Sequence, residues 1–139
     1  MQDWNAKMIE EFHAKNGKGV GNFGDQLALL TTTGARSVEQ RTTPLMFHRD
    51  GERYVVIASK AGAPDNPAWY HNLQAHPVAM IEVGAESGTE TLEVRAHDAE
   101  GEERERIWAD RVAIAPGFQE YQEKTSRRIP VVILERTEG

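Results

Sequence analysis

The stretch Arg41–Lys60, RTTPLMFHRDGERYVVIASK, decides the architecture. It contains two β-rich runs, Arg41–Arg49 and Arg53–Lys60, joined through Asp50-Gly51. Asp-Gly accepts the positive φ angles of a tight hairpin turn, so the two runs pair antiparallel. In Tyr54–Lys60 the apolar residues follow one another without polar alternation. Such a run predicts a strand covered on both faces.

Just upstream lies Leu27–Leu45, LALLTTTGARSVEQRTTPL. Leu27–Thr33 reads as a strand that ends in three threonines and a glycine. Arg36, Ser37 and Arg41 follow, on a chain whose other charges are mostly acidic. With the hydroxyls of Thr31–Thr33 and Thr42–Thr43, they fit either an anion socket or a solvated hairpin with two surface cations. Forked arginine donors favour a phosphate in the first case.

At the N-terminal side, Trp4, Met8, Ile9 and Phe12 fall on one helical stripe, which Asn16-Gly17 ends. The stripe packs on the domain or serves as a lid or a lipid-facing surface. The glycine-rich segment 16–25 lacks a preceding strand and a βαβ setting, so it is no dinucleotide fingerprint. Lys15 and Lys18 at this loop are placed to reach a ligand tail.

Towards the C-terminal side, Ser59-Lys60-Ala61-Gly62 closes the third strand with small residues that let a ligand approach the backbone. Asn66 is a good N-cap and Pro67 a good first residue for the helix that stops before Pro77. On it, Trp69 and Asn72 share a face that suits a planar, hydrogen-bonding ring, or the core in the case of Trp69. Val78–Val83 and Thr89–His97 form a second hairpin. Residues 98–113 read as a charged helix with Ile107, Trp108, Val112 and Ala113 buried and Glu102–Arg106 solvated. Phe118–Lys124 is a short helix and Ile129–Glu135 the last strand. Six strands arriving mainly as hairpins, with four helices, predict an antiparallel sheet closed into a small barrel with helices outside.

The bulk numbers narrow the function. One hundred and thirty-nine residues without a linker or repeat suit a single domain. A net charge of −6, from 22 acids against 16 bases, disfavours general nucleic-acid binding. No cysteine is present, which excludes disulfides and thiolate chemistry and is compatible with a reducing compartment. The first residues carry charges where a signal peptide needs an apolar core. These features point to a cytoplasmic protein. His13, His48, His71, His76 and His97 lack the spacing of a metal site, so no metal is expected.

Four segments in this order, LLTTTGARSVEQRTTPL, YVVIASKAGAPDNPAWYHNLQAHP, GEERERIW and YQEKTSRRIPVVILE, resemble the deazaflavin-dependent nitroreductase family. Its members are split β-barrel proteins that bind coenzyme F420, an 8-hydroxy-5-deazaflavin with a ribityl phosphate and an acidic oligoglutamate tail. The resemblance implies an α+β, mainly β fold: a six-stranded antiparallel split β-barrel with flanking helices over residues 1–139. It places Arg36, Ser37 and Arg41 on the phosphate, and Pro44 and Leu45 along the ribityl chain and ring. It places Ser59, Lys60, Ala61 and Gly62 at the deazaflavin, with Trp69 and Asn72 closing that side. Lys15 and Lys18 would meet the acidic tail. Tyr121 borders the substrate pocket and, with Ser59, is a candidate to orient the acceptor or supply a proton.

The implied activity is hydride transfer from reduced F420 to a planar electron-poor acceptor: a quinone, nitroaromatic or activated enone. The alternatives are an FMN-binding barrel, a non-catalytic F420 carrier and a structural barrel. A monomer or homodimer is expected, with the first helix as a place for peripheral membrane contact. Two positions depart from the family pattern, Val38 and Ala61, where glycine is usual. A β-branched residue resists positive φ, so Val38 predicts either an extended loop conformation or altered phosphate affinity.

Overall fold

The computed structural model describes residues 2–21 and 24–137. Residues 22 and 23 of the glycine-rich segment lie outside the described residues, as does the side chain of Ala61. The chain runs α1 (Gln2–Ala14), β1 (Leu27–Thr33), β2 (Gln40–Met46), β3 (His48–Asp50), β4 (Arg53–Ile57), α2 (Ala68–Ala75), β5 (Val78–Gly84), β6 (Thr89–Asp98), α3 (Gly101–Ile114), α4 (Gly117–Glu123) and β7 (Val131–Arg136).

The strands form one seven-stranded sheet in the order β2-β1-β5-β6-β7-β4-β3, and every ladder in it is antiparallel. This is the expected split-barrel class with one strand more. The extra strand arises because Arg41–Arg49 breaks at Phe47, which is buried and whose amide donates to Gln26 O at 2.9 Å. The break has a geometric use. β2 and β3 stand at opposite edges of the sheet order yet follow each other in the chain. One bent segment therefore joins both edges and curls the sheet, which leaves less open edge to pair with other chains.

Strand alternation divides the core. Ala28 and Leu30 of β1 and Tyr54 and Val56 of β4 point into the barrel, towards Trp69 and Leu73 of α2. Leu27 and Leu29 point outward to Phe12 of α1, and Val55 with Val131 and Ile133 points outward to Ile107 of α3. Tyr54–Val56 is thus covered on both faces, as its unbroken apolar run predicts.

Two local expectations fail for long-range reasons. The side chain of Asn66 does not cap α2, because Arg127 Nη1 donates to its Oδ1 at 2.7 Å. The helix starts one residue later than expected, with Pro67 as the cap. In α3 the buried stripe is Arg104, Ile107 and Arg111, whereas Ala113 is exposed. Arg104 is no part of a solvated face: its Nη2 donates to Ile129 O at 2.6 Å and its guanidinium lies 5.2 Å from the Trp108 ring.

Candidate functional site

A cavity of about 690 Å³ opens between β2, β4, α2 and α4. Pro44 and Leu45 form part of its wall, Trp69 contributes a flat aromatic surface, and Ser59, Lys60 and Tyr121 supply polar groups. Six of the expected site residues are therefore together. Trp4, 51% exposed, and Asn5 border the same cavity from α1. The first helix packs on the domain through Phe12 at one end, and at the other end its Trp4 lines the cavity.

The cationic loop lies beyond one end of β2. Thr33 and Gln40 pair, and Gly34 N donates to Glu39 O at 2.7 Å, so Ala35–Val38 forms the turn between β1 and β2. Arg36, Ser37 and Arg41 are exposed there, with Arg41 3.4 Å from Glu39. A Cβ on Gly34 would meet Ser37 Oγ at 2.6 Å, so a larger residue there would make the Ser37 hydroxyl turn away. From Arg41 to Pro44 is three residues, or about 10 Å of extended strand. Arg41, Thr43 and Leu45 share one side of β2, which leads from the cations to the cavity.

Three of the threonines are engaged within the scaffold. Thr31 and Thr42 hydroxyls bond each other at 2.7 Å, and buried Thr32 accepts from Asn72 Nδ2 at 3.1 Å. Asn72 Oδ1 in turn accepts from Ala35 N at 3.0 Å. Asn72 does not line the cavity; it ties α2 to the cationic loop. Val38 takes φ of 54°, the strained left-handed region, and is 70% exposed. The extended alternative for this residue does not occur.

The turn Ser59–Gly62 is held more firmly. Arg127 donates to Ala58 O at 3.1 Å, Ser59 O at 2.7 Å and Ala63 O at 2.9 Å, besides Asn66. Gln122 fixes the segment carrying Arg127, donating to Arg127 O at 2.7 Å and accepting from Ile129 N at 2.9 Å. Gly62, at φ of 82°, lies where a Cβ would be 2.8 Å from Tyr121 O. Bare backbone there lets α4 approach and brings Tyr121 to the cavity. Phe118 stands edge-on to the Tyr121 ring at 6.0 Å. Lys60 Nζ pairs with Asp65 at 3.2 Å and holds that carboxyl below its usual range.

Lys15 and Lys18 are not brought to the cavity. Lys15 follows the far end of α1, ten residues and about 15 Å from Asn5. Its Nζ bonds Glu11 at 3.1 Å and Gly19 O at 3.3 Å, within the glycine-rich loop. Lys18 is exposed on that loop.

The sequence reading missed three contributors. Arg127 sits in the quoted SRRIP tail, but its partners lie more than 60 residues away in sequence. His48 and Arg111 both line the cavity. Burial, followed by the Arg111 guanidinium, lowers the His48 imidazolium to about 4, so the ring is neutral at pH 7. α3 is anchored beside it by Asp50, which accepts from Arg106 at 2.9 and 3.0 Å and also pairs with Arg53. These arginines hold the Asp50 carboxyl far below the ordinary carboxylate range. The helical spacing of residues 104, 107 and 111 was the available signal for the buried arginines.

The Trp69 face in an apolar cavity, the length of β2 and the exposed arginines beyond its end have the dimensions and chemistry that a deazaflavin-type ligand needs. The apolar wall, the polar edge at Ser59 and the separate cationic loop fit F420. Comparisons agree. Residues 4–136 match the family described as F420H(2)-dependent quinone reductase. An F420H(2)-dependent quinone reductase of Mycobacterium tuberculosis is 44% identical over 110 residues, 78% of this chain and 72% of its own. A solved F420-H2 dependent reductase, FDR-A, has a TM-score of 0.69 and 41% identity, covering 79% of this chain and 94% of its own. A solved domain-swapped dimer has a TM-score of 0.72 and 37% identity, covering 96% and 98%. Because the match spans nearly all of its length, the chain belongs to the F420H(2)-dependent quinone reductase family.

Proposed function

We propose that the protein is a coenzyme F420H2-dependent reductase whose acceptor is a quinone, with nitroaromatics and activated enones as further flat acceptors. The observation that carries this reading is β2, which links an exposed pair of arginines to an apolar cavity with a flat aromatic wall. Arg36, Ser37 and Arg41 would hold the phosphate. Pro44, Leu45 and Trp69 would bracket the ring, with Ser59, Lys60 and the backbone of Ala61-Gly62 along its edge. Asn72 would act indirectly, by shaping the loop at Ala35. For Lys15 and Lys18 as partners of the acidic tail, the support is the family resemblance.

When bound, the reduced coenzyme supplies a hydride. The chain's own contribution is position, because donor and acceptor atoms must come within about 3–3.5 Å. The braced turn at Ser59 and the close seat of α4 on Gly62 serve that need. Tyr121 and Ser59 are the groups at the cavity suited to orient the acceptor and pass a proton to it.

The chain is read as one working domain over residues 1–139. Cytoplasmic location is supported by the cysteine-free composition. Among the described residues no helix is long and apolar enough to cross a membrane. Trp4 at the cavity mouth supports peripheral contact of α1 with a membrane that holds a lipid quinone. Between monomer and homodimer, the likeness to a domain-swapped dimer supports the dimer.

The test is an equilibrium titration with oxidised F420, followed by turnover of the reduced form with menadione. The wild-type protein should bind and turn over. Arg36→Ala combined with Arg41→Ala should weaken F420 binding by about 10- to 100-fold, with an unchanged melting temperature. Tight FMN binding without F420 binding would assign the barrel to flavin chemistry. F420 binding without acceptor-dependent oxidation would make it a carrier.

A further inference from the structure

Arg104 and Arg111 are both buried on α3, but they are satisfied differently. Arg104 has Ile129 O and the Trp108 ring. Arg111 is 3% exposed, its Nε has no hydrogen-bond partner, and among the described residues no side-chain hydrogen bond or ion pair engages its guanidinium. It lines the same cavity as Ser59, Trp69 and Tyr121. An unpaired buried guanidinium is a poor structural choice, since an apolar residue of similar size is usually neutral or stabilising there. Its neighbour His48 is uncharged at pH 7, and the Lys60 ammonium on the same cavity is paired with Asp65. Arg111 is thus a fixed positive charge facing the cavity with no counter-ion among the described residues.

We propose that Arg111 binds the oxyanion of the acceptor: it pairs with the oxygen that becomes negative when the acceptor takes up a hydride. The proposal rests on the quinone reductase reading above and names the acceptor chemistry that this site favours. Hydride transfer moves two electrons and one proton from the reduced deazaflavin to a quinone. It leaves the oxidised coenzyme, a released proton and the hydroquinone monoanion; one proton then completes the hydroquinone. A preorganised cation stabilises that anion as its charge develops. The same charge selects acceptors that enter already ionised, such as hydroxyquinones, over neutral quinones of equal shape.

The probes are 2-hydroxy-1,4-naphthoquinone, ionised at neutral pH, and neutral 1,4-naphthoquinone. Their dissociation constants are measured on F420-loaded and coenzyme-free protein. The wild type should prefer the ionised probe by about tenfold or more, as a charge-assisted contact gives. Arg111→Met and Arg111→Gln should abolish the preference and lower menadione turnover by about 100-fold, with F420 affinity unchanged. Arg111→Met should melt at or above the wild-type temperature. A preference that survives in either folded variant overturns the proposal. So does parallel loss of F420 affinity or a lowered melting temperature in Arg111→Met, which would make Arg111 structural. Failure of wild-type F420 binding or menadione turnover is read separately and defeats the parent function instead.

Discussion

The turns Ala35–Val38 and Ser59–Gly62 both follow a strand, and each holds a non-glycine residue at positive φ, Val38 at 54° and Lys60 at 46°. Around Lys60, Arg127 binds three carbonyls and α4 sits against Gly62. Around Val38 there are fewer restraints: Val38 N donates to Gly34 O at 3.2 Å, and Asn72 reaches Ala35 N. The difference fits the work proposed for each turn. A reacting ring must be placed within a fraction of an ångström, whereas attraction between charges falls only slowly with distance. Under the proposed function, the chain braces the turn beside the ring more heavily than the turn that would meet the anion.

The largest effect should come from Arg127→Ala. It leaves three carbonyls without their donor and should cost about 3 kcal/mol, read from the urea midpoint. The menadione rate should fall more than F420 affinity does. Wild-type stability in this variant would erase the contrast between the turns. Asn72→Ala should cost about 2 kcal/mol, because Thr32 and Ala35 N lose their buried partner. Here F420 affinity should fall with stability, since Asn72 shapes the anion turn; unchanged affinity would sever that link. The smallest effect is a gain. Val38→Gly releases left-handed strain of about 1–3 kcal/mol, offset by the chain entropy of glycine at about 0.4–1 kcal/mol. A net rise of about 1 kcal/mol is expected by thermal melting, and a loss would show that Val38 is well accommodated.

What could be read from sequence was local. Asp50-Gly51 marks its hairpin because the turn depends on two adjacent residues. Tyr54–Val56 announces a doubly covered strand by its own side chains. The start of α2 was misplaced because Asn66 answers to Arg127, 61 residues away. The break at Phe47 was invisible because an aromatic residue suits either a strand interior or a bend. Ser59 and Trp69 were legible as cavity residues, and Arg36 and Ser37 as an exposed loop at a strand end, through residue type and resemblance. For Arg111 the one local sign was its helical spacing with residues 104 and 107, which the surrounding run of charges masks. Its burial is decided by how α3 meets the strands, including the anchor from Arg106 to Asp50.

The place of β7 between β6 and β4 has a consequence for the order in which the molecule is made. A ribosome delivers every partner of β7 before β7 itself, and Arg127 emerges only just ahead of that strand. Until then β4 has β3 on one side and no sheet neighbour on the other, while the Ser59 turn lacks its brace. A nascent chain can complete the cationic hairpin early, from residues adjacent in sequence. It braces the Ser59 turn and pairs the second edge of β4 only after Arg127 and β7 have emerged.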